Sequence, residues 1–128
     1  MESVVIDIVL DHKKKTIYRN FKGLVKTEEI CESWQQILAL REFTGMGYHL
    51  LTDYSDAEFD FPISKTDDIW TCLFNIKNLL TNRKEAVIAV TPYNTAVNML
   101  FEKDSYRLLN YWVKTFSTRE AALEWLMK

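Results

Sequence analysis

At the start of the chain Val4, Ile6, Ile8 and Leu10 recur at every second position, while Asp7 and Asp11 fall on the other side. That is the period of a strand with one face on a core. A polar turn, Asp11-His12-Lys13-Lys14-Lys15, separates it from the β-branched and aromatic run Thr16 to Phe21. The turn is too short for a crossover, so the two strands are expected to pair antiparallel. Gly23 is expected to end the second. Thr27 ahead of Glu28 and Glu29 then places a capping hydroxyl and two carboxylates at a helix N-terminus. Ile30, Trp34, Ile37 and Leu38 form the inward stripe of this first helix, predicted to reach Phe43 and to be ended by Gly45 and Gly47. Tyr48 to Thr52 reads as a short third strand, with Asp53 to Asp56 as the loop at its carboxyl end.

A second helix is signalled from Ser64, with Ser64 and Thr66 as cap candidates and Asp67 and Asp68 in its first turn. Its stripe is Ile69, Leu73, Ile76 and Leu80, and Trp70 and Phe74 widen the apolar face. Ala86 to Val90 is apolar throughout, as expected of a central strand covered on both faces. Thr91-Pro92 reads as an N-cap followed by proline at the first helical position. The third helix behind it is expected to bury Ala96, Val97, Leu100 and Phe101. Tyr111 to Phe116 is the last strand, and Ser117-Thr118-Arg119-Glu120 is a capping box for a terminal helix anchored by Ala122, Trp125 and Leu126.

The order ββαβαβαβα over 128 residues predicts a single α/β domain without linker or internal repeat. Its sheet is expected to have five strands and to be mixed: parallel through right-handed crossovers, with helices on its faces and the opening strand as an antiparallel edge. The 48% apolar content and a formal charge of −2 exclude disorder. With 16 basic against 18 acidic side chains there is no basic excess to release counterions from a phosphate backbone, so no nucleic acid is expected as a partner. Lys13 to Lys15 reads as a solvated turn that guards a sheet edge by charge. The acidic start and the short longest apolar run, Ala86 to Val90, point to neither a signal peptide nor a membrane span. Cys31 and Cys72 lie in helical patterns and read as two buried thiols of a reducing cytoplasm; a disulfide would need their helices packed face to face.

Catalytic constellations are scarce. Ser3, Ser33, Ser55, Ser64, Ser105 and Ser117 lack the flanking glycines of a nucleophile elbow. Gly45 and Gly47 follow a helix, where a phosphate-cradling loop would follow a strand. His12 and His49 fall in different settings and do not read as a shared metal site. The expectation is a chain that is not an enzyme and needs no cofactor or metal.

In open α/β sheets ligands bind beyond the carboxyl ends of the strands. Those ends carry Asp53, Tyr54, Ser55 and Asp56 after the third strand, and Thr91, Pro92, Tyr93 and Asn94 after the fourth. Between them Phe59 and Phe61 lie without helical period; they roof an apolar pocket, form a partner-binding patch, or simply cover the sheet.

Leu50 to Glu58, the strand Ala86 to Val90 and the ending Phe116 to Leu126 resemble the SpoIIAA-like family of the STAS superfamily, over nearly the whole chain. The resemblance implies that fold and, in anti-sigma-factor antagonists of the STAS type, a serine phosphorylated at a helix start after the third strand, in an Asp-Ser-[Ser/Thr]-Gly motif at a partner interface. The matching stretch here, Asp60 to Asp67, has Ser64 and Thr66 near a helix start, no following glycine and crowding aspartates, so Ser64 reads as an ordinary N-cap. Members of the broader fold group resemble lipid-exchange domains, and the apolar face of Trp70, Leu73, Phe74 and Ile76 is compatible with that. The leading expectation is a non-enzymatic binding or regulatory module. It would present the loop after the third strand and the start of the second helix to a protein partner, through Asp53, Tyr54, Ser55, Asp56, Phe59, Phe61, Ser64, Trp70, Tyr93 and Asn94. The alternative is a small carrier holding an apolar, lipid-like molecule between the second and third helices and the sheet. A homodimer is common among small α/β domains, although no feature of the sequence demands one.

Overall fold

The computed structural model describes residues 4–128, so Ser3 lies outside the described residues. Strand β1 (Val5–Asp11) pairs antiparallel with β2 (Thr16–Val25), in register from Val5↔Lys22 to Asp11↔Thr16. Ile6, Ile8 and Leu10 face the core opposite Phe21, Arg19 and Ile17, as the alternation requires. The Lys14 amide donates to Asp11 Oδ1 at 3.1 Å and closes the turn. Gly23 does not end β2: at φ 98°, a conformation that a Cβ disfavours, it carries the strand on to Val25.

Strand β3 (His49–Phe59) runs parallel to β2 along its full length and contains the segment Asp53 to Asp56, which is therefore not a loop. The register passes from Asn20↔Asp53 to Lys22↔Asp56, so Tyr54 and Ser55 together stand opposite Phe21. This is a β-bulge, and it resets the alternation. Leu50 before it, Tyr54 within it, and Ala57 and Phe59 after it all join the same core.

Strands β4 (Lys84–Ile88) and β5 (Trp112–Phe116) complete a sheet of order β1-β2-β3-β4-β5, parallel from β2 onward. Strands laid down in sequence through crossovers of one hand place every crossing helix on the same face. The larger core shows this, because helices α1 (Thr27–Leu38), α2 (Arg41–Thr44), α3 (Thr66–Asn75), α4 (Lys77–Leu80) and α5 (Pro92–Leu109) all contribute to it. Among the described residues only α6 (Arg119–Leu126) packs on the opposite face, where Ala122 and Leu126 meet Tyr18, Leu51, Ala86 and Ile88. Cover on the two faces is thus unequal.

Six α-helices appear among the described residues, against four expected, because two of the expected helices break. The first stops at Leu38 and resumes as α2 after an extended Leu40; the second breaks at Ile76. Lys26, not Thr27, is the N-cap of α1, and Glu29 reaches back to accept its amide at 2.7 Å. Ile63–Lys65 forms a 3-10 turn ahead of α3, in which Ser64 is exposed and caps nothing. Thr91 caps α5 as expected, accepting the Asn94 amide at 3.2 Å, and Thr118, one residue later than expected, caps α6 through the Ala121 amide. Helix α5 buries Asn94, Val97, Asn98, Phe101, Ser105 and Leu109 and leaves Ala96 and Leu100 exposed, which corrects the expected stripe. Trp125 is only half-buried.

The cysteines overturn their expectation. Cys31 of α1 and Cys72 of α3 form a disulfide with their Cα atoms 5.9 Å apart. One-sided crossovers make these helices neighbours, which is the face-to-face packing the bond needs. The inference of a reducing compartment from two free thiols therefore loses its premise. No helix among the described residues is long and apolar enough to cross a membrane.

Candidate functional site

Arg19 of β2 points into the larger core and is buried there. An isolated interior charge is costly, so its donors must all find acceptors. Nη1 donates to Ser33 Oγ at 3.0 Å, Nε and Nη2 to Thr52 Oγ1 at 3.2 and 3.0 Å, and Nη2 to Glu85 Oε2 at 2.9 Å. Thr52 in turn donates to Glu85 Oε2 at 2.6 Å, and the Tyr111 hydroxyl donates to Oε1 at 2.9 Å. The guanidinium also lies 4.5 Å from the centre of the Trp34 ring. This network joins β2, β3, β4, α1 and the approach to β5, and both charges are neutralised within it. Burial, then the negative charge of Glu85, holds the Tyr111 hydroxyl well above the usual tyrosine range.

Beside the network lies a cavity of about 40 Å³ between the sheet and α1, α3 and α5. Its wall combines Tyr54, Phe59, Trp34, Leu73 and Val97 with Arg19, Glu85 and Asn98. A water molecule takes about 10–15 Å³ on this scale, so the space suits a few waters and has no room for a lipid chain as it stands.

The ten candidate residues divide between two sides of the sheet. Asp53 turns toward α6: its Oδ2 accepts from Arg119 at 3.0 Å, and its Oδ1 accepts the amide and hydroxyl of Ser55 at 2.8 and 2.6 Å. Burial raises the Asp53 pKa, but the Ser55 and Arg119 bonds outweigh it and leave the carboxyl below its ordinary value. Ser55 is exposed, and so is Asp56, opposite Lys22. Tyr54, Phe59 and Phe61 are buried on the helical side, Phe59 and Phe61 stacked with centroids 5.0 Å apart. Asn94 is buried as well: its Oδ1 accepts the Phe59 amide at 3.1 Å and its Nδ2 donates to the Ala57 carbonyl at 2.9 Å, which fastens α5 to the end of β3. The surface members on that side are Ser64, Tyr93 and the half-buried Trp70. The Tyr93 hydroxyl donates to the Phe61 carbonyl at 2.6 Å. A contiguous surface made of all ten therefore does not exist. Arg19 and Glu85 escaped the sequence reading, although each stands at an inward position of its strand, between Ile17 and Phe21 and before Val87.

A sequentially ordered sheet with an antiparallel first strand, its crossing helices on one face and a closing helix on the other, defines the architecture: the chain has a SpoIIAA-like fold. Among solved structures it is similar to an uncharacterised DUF3478-family protein with a SpoIIAA-like fold from Shewanella loihica PV-4, with a TM-score of 0.60, 14% identity and 98% of each chain covered. No family model matches the chain. No curated protein matches it either.

Proposed function

We propose that the chain is a non-enzymatic binding module that meets a protein partner on its helical face, around the turn Ile63–Lys65, α3 and the first half of α5. The observation that carries this is the exposure of large apolar side chains there: Ile63 is 49%, Phe74 45%, Leu100 45% and Tyr93 37% exposed. Helix α5 turns polar Asn94, Asn98 and Ser105 inward while Leu100 faces water, the reverse of what solvent alone favours. Trp70, 4.8 Å from Phe101 and 6.1 Å from Phe74 between ring centres, continues the apolar surface from α5 to α3. Apolar surface of this kind marks interaction sites. Asp53 and Ser55 belong to the other face and are not part of it.

The test is partner capture with Phe74→Asp/Leu100→Asp beside Asp53→Asn. The first variant is expected to lose the partners of the unmodified chain, or its self-association if the partner is a second copy, and the second to keep them. Retention of every partner by Phe74→Asp/Leu100→Asp contradicts the proposal. A second reading, a small carrier of an apolar molecule, is supported by the position of the cavity between α1, α3, α5 and the sheet. Native mass spectrometry showing one small molecule per purified chain would support it.

A further inference from the structure

The cavity contains an uncommitted polar group. Tyr54 lines the space, and its hydroxyl enters none of the side-chain hydrogen bonds among the described residues; the fully enclosed side-chain oxygens without a partner, Ser105 Oγ and Thr115 Oγ1, lie outside this wall. Asn98 lines the same space, and its amide donates only to the Asn94 carbonyl. The one charged pair in the wall is internally satisfied and offers nothing to an ion. Everything else lining it is apolar, Tyr111 apart.

The outer wall is thinly held. Helix α3 buries only Ile69 and Leu73, both against the cavity, and its one inter-residue ion pair, Lys65–Asp68, is local. Few buried contacts mean low local stability. Besides these side chains and the half-buried Trp70 on Phe101, the Cys31–Cys72 bond ties α3 covalently to α1, and these cysteines adjoin Ile30 and Leu73, two residues of the cavity wall. Cys31 also lines a surface groove with Thr27, Glu28, Glu32 and Asp68, so the bond is within reach of solvent.

We propose that this cavity is the site of a neutral, largely apolar molecule with one hydrogen-bond acceptor, and that the Cys31–Cys72 disulfide is a latch that keeps it shut. The ligand part rests on the carrier reading; the latch does not. Opening takes two electrons from a dithiol reductant. One thiolate of the reductant attacks a cysteine sulfur and breaks the S–S bond, and its second thiol closes the mixed disulfide. Cys31 and Cys72 end as thiols carrying the two protons, and the reductant ends as a disulfide. The three carboxylates of the groove repel an anionic reductant, so an uncharged dithiol is the matching class.

The experiment titrates the full chain with prodan, a neutral naphthalene ketone whose emission reports its surroundings. It is run on the oxidised chain, on the chain reduced with dithiothreitol, and on Cys31→Ser/Cys72→Ser, each checked for a folded near-ultraviolet circular dichroism spectrum. Saturable binding of one dye per folded chain is expected after reduction and in the double variant, at least about tenfold weaker when oxidised. Tyr54→Phe is expected to weaken it roughly threefold to tenfold, the worth of one hydrogen bond. Equal binding in both redox states overturns the latch and leaves the carrier reading standing. Binding in neither state, or only with loss of the folded spectrum, overturns latch and carrier together.

Discussion

Arg19 and Glu85 form an ion pair buried in the larger core. The two charges neutralise each other, Arg19 also donates to Ser33 and Thr52, and Glu85 also accepts from Thr52 and Tyr111, so removing one leaves a buried charge without its partner. Loss of one member of a buried pair costs about 3–5 kcal/mol. Glu85→Ala is expected to lose that much in urea denaturation. Asp53→Ala, which breaks a pair whose arginine is about half exposed, is expected to lose about 1 kcal/mol or less. A gentler loss in Glu85→Ala would mean that water already reaches Arg19. His49 sets a pH dependence. Burial, then Lys84 and Arg83, lowers its pKa in the folded chain. Protonation therefore favours the unfolded chain, and the contribution of neutral His49 is present above about pH 6.5 and lost as pH falls below it. Melting temperature is expected to fall on acidification through that value, and His49→Gln is expected to flatten the slope. Neither role was read from the sequence: an inward charge becomes recognisable only when an opposite inward charge on another strand is placed beside it, and that needs the register.

At the scale of elements, strands and helices were legible where the period was clean. The β1–β2 hairpin follows from alternation and the Thr91-Pro92 start of α5 from capping chemistry, while β4, read from the apolar run Ala86 to Val90, lies at Lys84–Ile88 and leaves Val90 exposed. Strand β3 was read too short because its bulge breaks the period between Asp53 and Asp56, and a polar interruption of that kind looks like a loop. The stripe of α5 was misplaced because its inner side includes Asn94, Asn98 and Ser105, chosen for hydrogen bonds to neighbouring backbone or for small size. The terminal helix shows the same limit. Trp125 is the larger residue, but Leu126 is fully buried and Trp125 lies half-exposed against Phe116. Leu126→Ala is expected to cost about 2–5 kcal/mol in thermal or urea unfolding, more than Trp125→Ala. The opposite order would show that α6 docks through its rim.

For the whole molecule, the order of elements was enough to reach the fold, but not the distribution of helices over the sheet. Sequential strand order puts all three crossovers on one face, and from this follow the α1–α3 contact, the cysteine pairing and the cavity beneath. The candidate site was half legible: Phe59, Phe61, Trp70 and Tyr93 do gather on the helical side, while the alternation of β3 sends Asp53 away from them. Under the proposed latch the molecule divides into a fixed scaffold, made of the sheet, its buried ion pair and α5, and an α3 that the Cys31–Cys72 bond holds against α1. Amide hydrogen exchange read by mass spectrometry, with and without dithiothreitol, tests this division most directly. Faster exchange confined to Thr66–Asn75 and its flanking turns on reduction is expected, with β2 to β5 unchanged. Unchanged exchange in α3, or equal acceleration across the sheet, would contradict it.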